Sequence, residues 1–270
     1  MSTRESDQAF TPALPAIYES HLVPLIFAPY AAALADRLAE RRLSRVLEVA
    51  AGTGIVTRRM AMALPERVDI VATDRNQPML DLAATVGTSR PLEWRQADAM
   101  QLPFADGTFD AVVCGFGVMF FPDKARAFAE ARRVLSPGGV LIFSVWDRIE
   151  ENEFADTVTA ALASLYPENA PRFLARVPHG YPDPRIIAQD VERGGFDRSP
   201  QIETVPARSR AATPRIPAVG YCQGTPLRDE IETRGRSAEA SDVATQALAE
   251  RFGTGAVDGK IQAHIVTVER

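Results

Sequence analysis

Cysteine is scarce: Cys114 and Cys222 are the only two among 270 residues. Two thiols so far apart supply neither a disulfide framework nor the paired spacing of a zinc site, so no metal is expected. Histidine is nearly as rare, at His21, His179 and His264, which leaves few side chains that titrate near neutrality. Of the 30 basic residues only Lys124 and Lys260 are lysine, and 35 acidic residues bring the net charge to −5. No basic stripe stands out; Arg41, Arg42 and Arg45 read as a solvated helix end, so nucleic acid is not an expected partner. There is no unbroken run of 18 apolar residues and no charged-then-apolar leader, so no membrane span is expected and the cytoplasm is the expected compartment. Internal repeats and low-complexity tracts are also lacking. What remains is a chain of ordinary apolar content, long enough for one α/β domain with insertions.

The most informative stretch is Val46-Leu47-Glu48-Val49-Ala50-Ala51-Gly52-Thr53-Gly54. An apolar run with one acid ends in a Gly-x-Gly, and helix-period residues Ile55, Val56, Met60 and Leu64 follow. The pattern predicts a buried strand, a tight turn and a helix N-terminus. Glycine lets the backbone turn sharply and lets a ligand approach, and unpaired N–H groups at a helix start favour an anionic group. A dinucleotide fingerprint would carry a third glycine three residues on, where this chain has Thr57.

Two more acids follow at strand ends. Val68–Thr73 reads as a strand ending at Asp74, 20 residues after Gly54, where a carboxylate can reach ribose hydroxyls bound over the turn. Asp74 also precedes Gln77 by three, the spacing of a capping box, with Pro78 inside the first turn; both roles can hold together. Leu92–Ala97 reads as a third strand, ending at Asp98-Ala99-Met100. An acid there can accept from an exocyclic amine, with Met79 and Met100 offering polarizable surface to a ring; an Asx turn and ordinary core filling are the plainer alternatives.

Further on come Leu102-Pro103-Phe104-Ala105-Asp106-Gly107-Thr108-Phe109-Asp110-Ala111-Val112-Val113, a helix from Phe121-Pro122-Asp123 stopped by Ser136-Pro137-Gly138-Gly139, and the apolar strand Val140–Trp146. Four segments, VLEVAAGTG, VATDRNQPML, QADAMQLPFADGTFDAVV and ARRVLSPGGVLIF, together resemble the class I S-adenosylmethionine (SAM)-dependent methyltransferases. The resemblance is to the broad group that includes the ubiquinone/menaquinone-biosynthesis C-methyltransferases, and it covers about residues 45–146. It implies an α/β fold: a Rossmann-like seven-stranded, mostly parallel sheet with an antiparallel last strand, helices on both faces, and helical lid insertions. It also implies SAM as cofactor and S-adenosylhomocysteine (SAH) as product. Glu48, Ala50, Gly52 and Gly54 would hold the methionine part, and Asp74 the ribose. Met79, Asp98, Ala99 and Met100 would surround the adenine. Cys114 would line the methionine chain near the reacting methyl, unless it is simply a small buried hydrophobe.

On this reading residues 1–44 form a helical leader and lid, 45–146 the SAM-binding core, and 147–270 the rest of the same domain. Leu14–Leu43 is expected to be helical, broken near Pro24 and Pro29, with Tyr18, His21 and Phe27 as possible ligand contacts. Pro184–Arg193 should be the last core helix, and Gln201–Arg208 with Ile261–Arg270 the final strand pair, with Ile261, Ala263, Ile265 and Thr267 on one face. Insertions at 147–183 and 209–258, the latter with helices near Ile216–Thr233 and Ala238–Phe252, should roof the acceptor pocket at the carboxyl ends of the strands.

The expected chemistry is in-line transfer of the sulfonium methyl to a small organic acceptor, by O-, N- or C-methylation. No base is unmistakable. His179, beside Gly180-Tyr181, is the first candidate and Asp147, just past the fifth apolar strand, the second; His264 reads as structural. The Cys-Gly-Phe-Gly strand end departs from the Asn/Asp-Pro-Pro-Tyr sequence of amide and adenine N-methyltransferases. Phe116, Met119-Phe120-Phe121 and Tyr221 suggest an apolar or aromatic acceptor, although core packing would also use them. Two rivals share the glycine turn: an NAD(P)-dependent oxidoreductase, and a SAM-binding module without chemistry that acts through a partner.

Overall fold

Seven strands form one sheet: β1 Arg45–Val49, β2 Asp69–Asp74, β3 Glu93–Gln96, β4 Phe109–Gly115, β5 Leu135–Trp146, β6 Gln201–Ala211 and β7 Val257–Glu269. Their order is β3-β2-β1-β4-β5-β7-β6, and only β7 runs against its neighbours. The computed structural model describes residues 14–270; residues 1–13, the start of the expected leader, lie outside the described residues.

The central strands read as unbroken apolar runs because helices cover both faces of the sheet. Val46, Ile70, Val113 and Ile142 face one layer with Leu34, Leu38 and Met60. Their neighbours Leu47, Val71, Val112 and Phe143 face the other, with Phe128 and Val134. In β7 the expected face holds for Ile261, Ala263 and Ile265, which are buried, whereas Thr267 is half-buried near the end of the strand. β5 starts at Leu135, earlier than expected. Ser136–Gly139 sit in a register shift against β4, where Leu135 pairs Phe109 and Val140 pairs Ala111, so this segment kinks a strand as well as ending a helix.

The leader is one continuous helix, Leu14–Ala39, not a helix broken at its prolines. Tyr18–Phe27 is π-helical, with the Ala28 N–H bonding the Val23 carbonyl five residues back, and this wider turn accommodates Pro24 inside the helix. Pro29 falls in the first turn of the α-helical part, where its missing N–H costs little. By length and composition this helix is apolar enough to cross a membrane, with mean hydropathy 1.4 over 18 residues, although it holds no unbroken apolar run of that length. Its apolar positions, among them Leu22, Leu25, Ile26, Tyr30, Leu34 and Leu38, are buried in the protein.

The chain between β6 and β7 holds three helices, Arg215–Gln223, Leu227–Glu232 and Ser237–Phe252. The expected helix over 216–233 is thus divided, with a break at Gly224. Helix Glu153–Leu165 packs against Ser237–Phe252, and Arg215–Gln223 packs against the π-helical stretch. Leader and both insertions therefore form one helical roof at the carboxyl ends of β1, β2 and β4.

Gly54 fixes the geometry below that roof. It adopts φ +84°, and a Cβ there would lie 2.8 Å from the Trp94 ring and 3.3 Å from Ala83. Left-handed backbone and close packing both require glycine at this position. Gly54→Ala should lower stability by about 2 kcal/mol or more, read as a reduced urea midpoint; an unchanged midpoint would show that the turn relaxes freely.

Candidate functional site

The carboxyl ends of β1, β2, β3 and β4 open into a single crevice of about 1560 Å³, counting its mouth. Its two halves differ in chemistry. Glu48, Asp74, Arg75, Asn76 and Asp98 line one half, and the other is lined by aromatic and neutral side chains.

Asp74 organises the charged half. One carboxylate oxygen accepts from the Gly52 N–H at 2.8 Å and the other from the Asn76 N–H at 2.8 Å. The end of β2 is thereby bound to the glycine turn after β1. The N-cap of helix Gln77–Val86 is Asn76 rather than Asp74. Gln77 bonds Asp81 ahead of it, so no capping box forms, while Pro78 sits in the first turn. Burial raises the Asp74 pKa, opposed by these backbone donors.

Glu48 is 1% exposed, and Thr57 Oγ1 donates to its Oε2 at 2.5 Å. Oε1 has no hydrogen-bond partner among the described residues, and the residue lines the crevice. Burial pushes the Glu48 carboxyl up to about 8; Asp74 adds to the shift, while Thr57 and Arg58 oppose it. Thr57 stands where a dinucleotide fingerprint would have its third glycine, and it is fully buried and committed to Glu48. Thr53, between the two glycines, lines the crevice with a buried hydroxyl that lacks a partner. Asp98 does make the Asx turn, accepting from the Met100 N–H at 2.8 Å, and still lines the crevice with Ala99 and Met100.

Ala50, Gly52 and Met79 also line the crevice; Gly54 and Cys114 do not. Gly54 serves the turn, as described. The Cys114 thiol packs in the core beside the Gly117 and Val118 amides, and burial pushes it up to about 12. Ala50 and Phe116 both adopt φ +56° at the ends of β1 and β4, a strained backbone of the kind that clusters at working sites.

The uncharged half converges from segments far apart in sequence. Phe116 stacks on Trp146 with ring centroids 4.0 Å apart, and Phe27 meets them at 5.4 and 5.8 Å. Tyr18 stacks on Phe27 at 5.2 Å. Tyr221 closes another side of the crevice. His21, in contrast, is turned to its own helix, paired with the Ser20 hydroxyl at 2.9 Å, and does not line the space. Trp146 was not among the expected site residues; at the end of an apolar strand it reads as core, and the only available signal was its place just before Asp147.

His179 and Asp147 take different places from those expected of two bases. His179 lines the crevice, with its ring 5.9 Å from Trp146, and its Nδ1 lies 2.7 Å from the Asp147 carbonyl oxygen. A carbonyl only accepts, so Nδ1 carries the proton and Nε2 presents a lone pair. Nε2 has no recorded protein partner. Burial pushes the imidazole down to about 4, against the raising effect of Asp147, so the ring is neutral at physiological pH. The Asp147 carboxylate does not line the crevice: Gln262 Nε2 donates to it at 2.6 Å, and the Arg148 N–H at 2.7 Å. It therefore corrects the expectation of a second base, and its backbone carbonyl fixes the imidazole instead. His264 is structural as expected, held between Thr204 and the Pro182 carbonyl at 3.0 Å each.

The leader is pinned over this space by Arg58, which donates to Glu19 and to the Thr53 carbonyl, both at 2.6 Å. The pair is mostly shielded, with side chains 18% and 21% exposed.

Comparison with known proteins agrees with this geometry. A family model described as "Methyltransferase domain" matches residues 47–143. A demethylmenaquinone methyltransferase of Thermus thermophilus is 34% identical, over 60% of this chain and 78% of its own length. A ubiquinone/menaquinone biosynthesis C-methyltransferase of Stutzerimonas stutzeri is 31% identical, over 58% and 67%. Among solved structures, a Bacillus halodurans putative methyltransferase superposes with TM-score 0.57 at 19% identity, covering 88% of this chain and 97% of its own. Haemonchus contortus phosphoethanolamine N-methyltransferase 2, in complex with S-adenosyl-L-methionine, gives 0.58 at 16%, covering 96% and 57%. At these identities the two structures speak for the fold.

The Glu48 shift carries a pH signature. The folded carboxyl keeps its proton up to about pH 8, whereas an unperturbed one loses it near 4.5. Between those values the folded chain binds more protons than the unfolded one, so stability is full at the acid end and is lost as pH rises through about 8. Urea unfolding of the ligand-free protein across that window should show the decline, and Glu48→Gln should flatten it. A variant that keeps the wild-type slope would exclude Glu48 as its source.

Proposed function

The chain belongs to the class I SAM-dependent methyltransferases, and from that premise we propose that its acceptor is a neutral, planar hydroxyarene, a ring of the quinol type. The family membership makes it an enzyme that transfers a methyl group from S-adenosyl-L-methionine to a small molecule. Neither the oxidoreductase nor the non-catalytic module is favoured beside relatives of this kind.

The residues of the charged half fit SAM. Glu48 offers a carboxyl oxygen without a protein partner to the ammonium of the methionine part, and a cation beside it would restore its ionised form. The orphaned Thr53 hydroxyl and the amides of the glycine turn suit the carboxylate of that part. Asp74 has lone pairs left for ribose hydroxyls, and Asp98 with Ala99, Met79 and Met100 suits an adenine. When bound, SAM supplies a methyl made electrophilic by its sulfonium.

One observation carries the acceptor class: the neutral His179 imidazole stands beside the Phe116–Trp146 stack, in a crevice whose charged lining is confined to Glu48, Asp74, Arg75 and Asp98 near the ends of β1, β2 and β3. Stacked rings favour a flat apolar ligand, and an uncharged wall disfavours carboxylates and phosphates. His179 Nε2 accepts a hydroxyl proton, and the negative charge left on the acceptor spreads over its oxygen and ring carbons, either of which becomes the nucleophile. The names of the relatives, which refer to demethylmenaquinone and to C-methylation in ubiquinone and menaquinone biosynthesis, support the same ring class.

Incubation with methyl-labelled SAM and 1,4-dihydroxynaphthalene, followed by mass spectrometry, tests the reading; label only on carboxylate or amine acceptors would overturn it. His179→Ala should lower kcat by about 10²–10³-fold while SAH affinity stays at the wild-type value. Wild-type turnover in that variant would remove the base. Because the imidazole is neutral above about 4, wild-type rate should not gain from raising pH through 6 to 7 on account of this group. Asp74→Ala should weaken SAM binding about tenfold or more by calorimetry, with the circular dichroism spectrum unchanged; full affinity would refute the ribose assignment.

A further inference from the structure

Buried tyrosines in this protein spend their hydroxyls on the protein, with one exception. Tyr30 donates to the Val205 carbonyl at 3.1 Å, Tyr166 to the Gly235 carbonyl at 2.6 Å, and Tyr181 to Asp190 at 2.9 Å. Tyr221 is 4% exposed, and its hydroxyl makes no hydrogen bond to any described residue. It is not sealed in the core either: the residue lines the same crevice as His179.

Its position is built rather than incidental. Tyr221 lies in helix Arg215–Gln223, inside the segment inserted between β6 and β7. The preceding residue is Gly220, where a Cβ would come within 3.1 Å of Leu22 and 3.3 Å of His21. The missing side chain lets this helix lie against the leader and brings the tyrosine over the crevice. Thr225 anchors the same turn by donating to the Tyr221 carbonyl at 2.8 Å.

A hydroxyl that opens on the crevice without a protein partner is left to water or to a ligand, and a ligand oxygen placed there takes over that hydrogen bond. Among the described residues, the His179 Nε2 and the Trp146 indole N–H also line the crevice without a protein hydrogen-bond partner, and of these only Nε2 can accept a proton. Nε2 and the Tyr221 hydroxyl are chemically distinct. Neutral His179 with its proton on Nδ1 can only accept at Nε2, whereas a phenol donates as well as accepts. Burial raises the Tyr221 pKa, so the phenol keeps its proton and remains a donor.

We propose that the Tyr221 hydroxyl determines acceptor specificity by donating to a second oxygen on the ring whose first oxygen faces His179. This deepens the hydroxyarene reading and rests on it: the acceptor is then a dioxygenated ring, and a mono-hydroxylated one is discriminated against. Tyr221 touches the acceptor and takes no proton from it. A site built to meet a polar group rejects the analogue that lacks it, because its own buried group is then left unpaired.

The test uses full-length protein saturated with SAH and anaerobic calorimetry with four probes: 1-naphthol and the 1,2-, 1,3- and 1,4-dihydroxynaphthalenes. Wild type should bind at least one of the dihydroxy compounds about tenfold more tightly than 1-naphthol. Tyr221→Phe removes one oxygen and keeps the ring. It should abolish that preference while leaving affinity for 1-naphthol and for SAH unchanged. A variant that keeps the preference, a variant that loses both ligand types equally, or a wild type that binds the naphthols without preference would each overturn the assignment of Tyr221 alone. If wild type binds SAH but none of the four compounds, the hydroxyarene reading falls, and the assignment of Tyr221 with it.

Discussion

The Asp74 carboxylate, tying the end of one strand to the turn after its neighbour, is the constraint on which the site depends. Its oxygens accept from Gly52 and Asn76 and so fix the spacing between the ends of β1 and β2. Glu48, next to last in β1, and the Thr53 hydroxyl, in the turn that follows, both line the crevice beside it. Two acids this deeply buried cost free energy in an empty protein, which is why both carboxyls are shifted upward. A ligand that brings a cation to them would relieve that cost.

The uncharged half obeys a different logic. Here the protein withholds charge and supplies rings, with one neutral imidazole held in a single tautomer by a backbone carbonyl. A backbone acceptor has an advantage over a carboxylate in this position, since it orients the ring without raising its basicity through a full negative charge. The Asp147 side chain is committed to Gln262, and through it to β7. The last strand thereby supports the backbone carbonyl that orients the imidazole, although it lies far from the glycine turn in sequence.

Legibility in the sequence followed the range of the interactions. The glycine turn and the three acids at or just past strand ends are set by contacts within βαβ units, and such contacts leave short patterns: Glu48, Asp74 and Asp98 all line one crevice. Helix Pro184–Arg193 was readable to the residue because a proline and a glycine mark its ends. The uncharged half was only partly readable. Phe27, Phe116, Trp146, His179 and Tyr221 come from five separate segments, and no local pattern distinguishes a ring facing a ligand from a ring facing the core. His21 and Cys114 illustrate the confusion in the opposite direction. The continuity of the leader through Pro24 was hidden for another reason, since a π-helical register has no signature in residue spacing.

The long terminal hairpin separates two tasks that many enzymes entangle. β7 pairs with β5 only from Ala263 onward, whereas β6 and β7 remain paired out to Ala211 and Val257. The chain at 212–256 leaves and rejoins the sheet on that projecting ladder, on the opposite flank from the strands that end in Asp74 and Asp98. An exchange, lengthening or rewriting of this cassette would start and finish at two hydrogen-bonded neighbours and would not disturb the register of β1, β2 and β4. The excursion and the parallel strands are therefore separable in their hydrogen bonding, and a change in one need not propagate into the other.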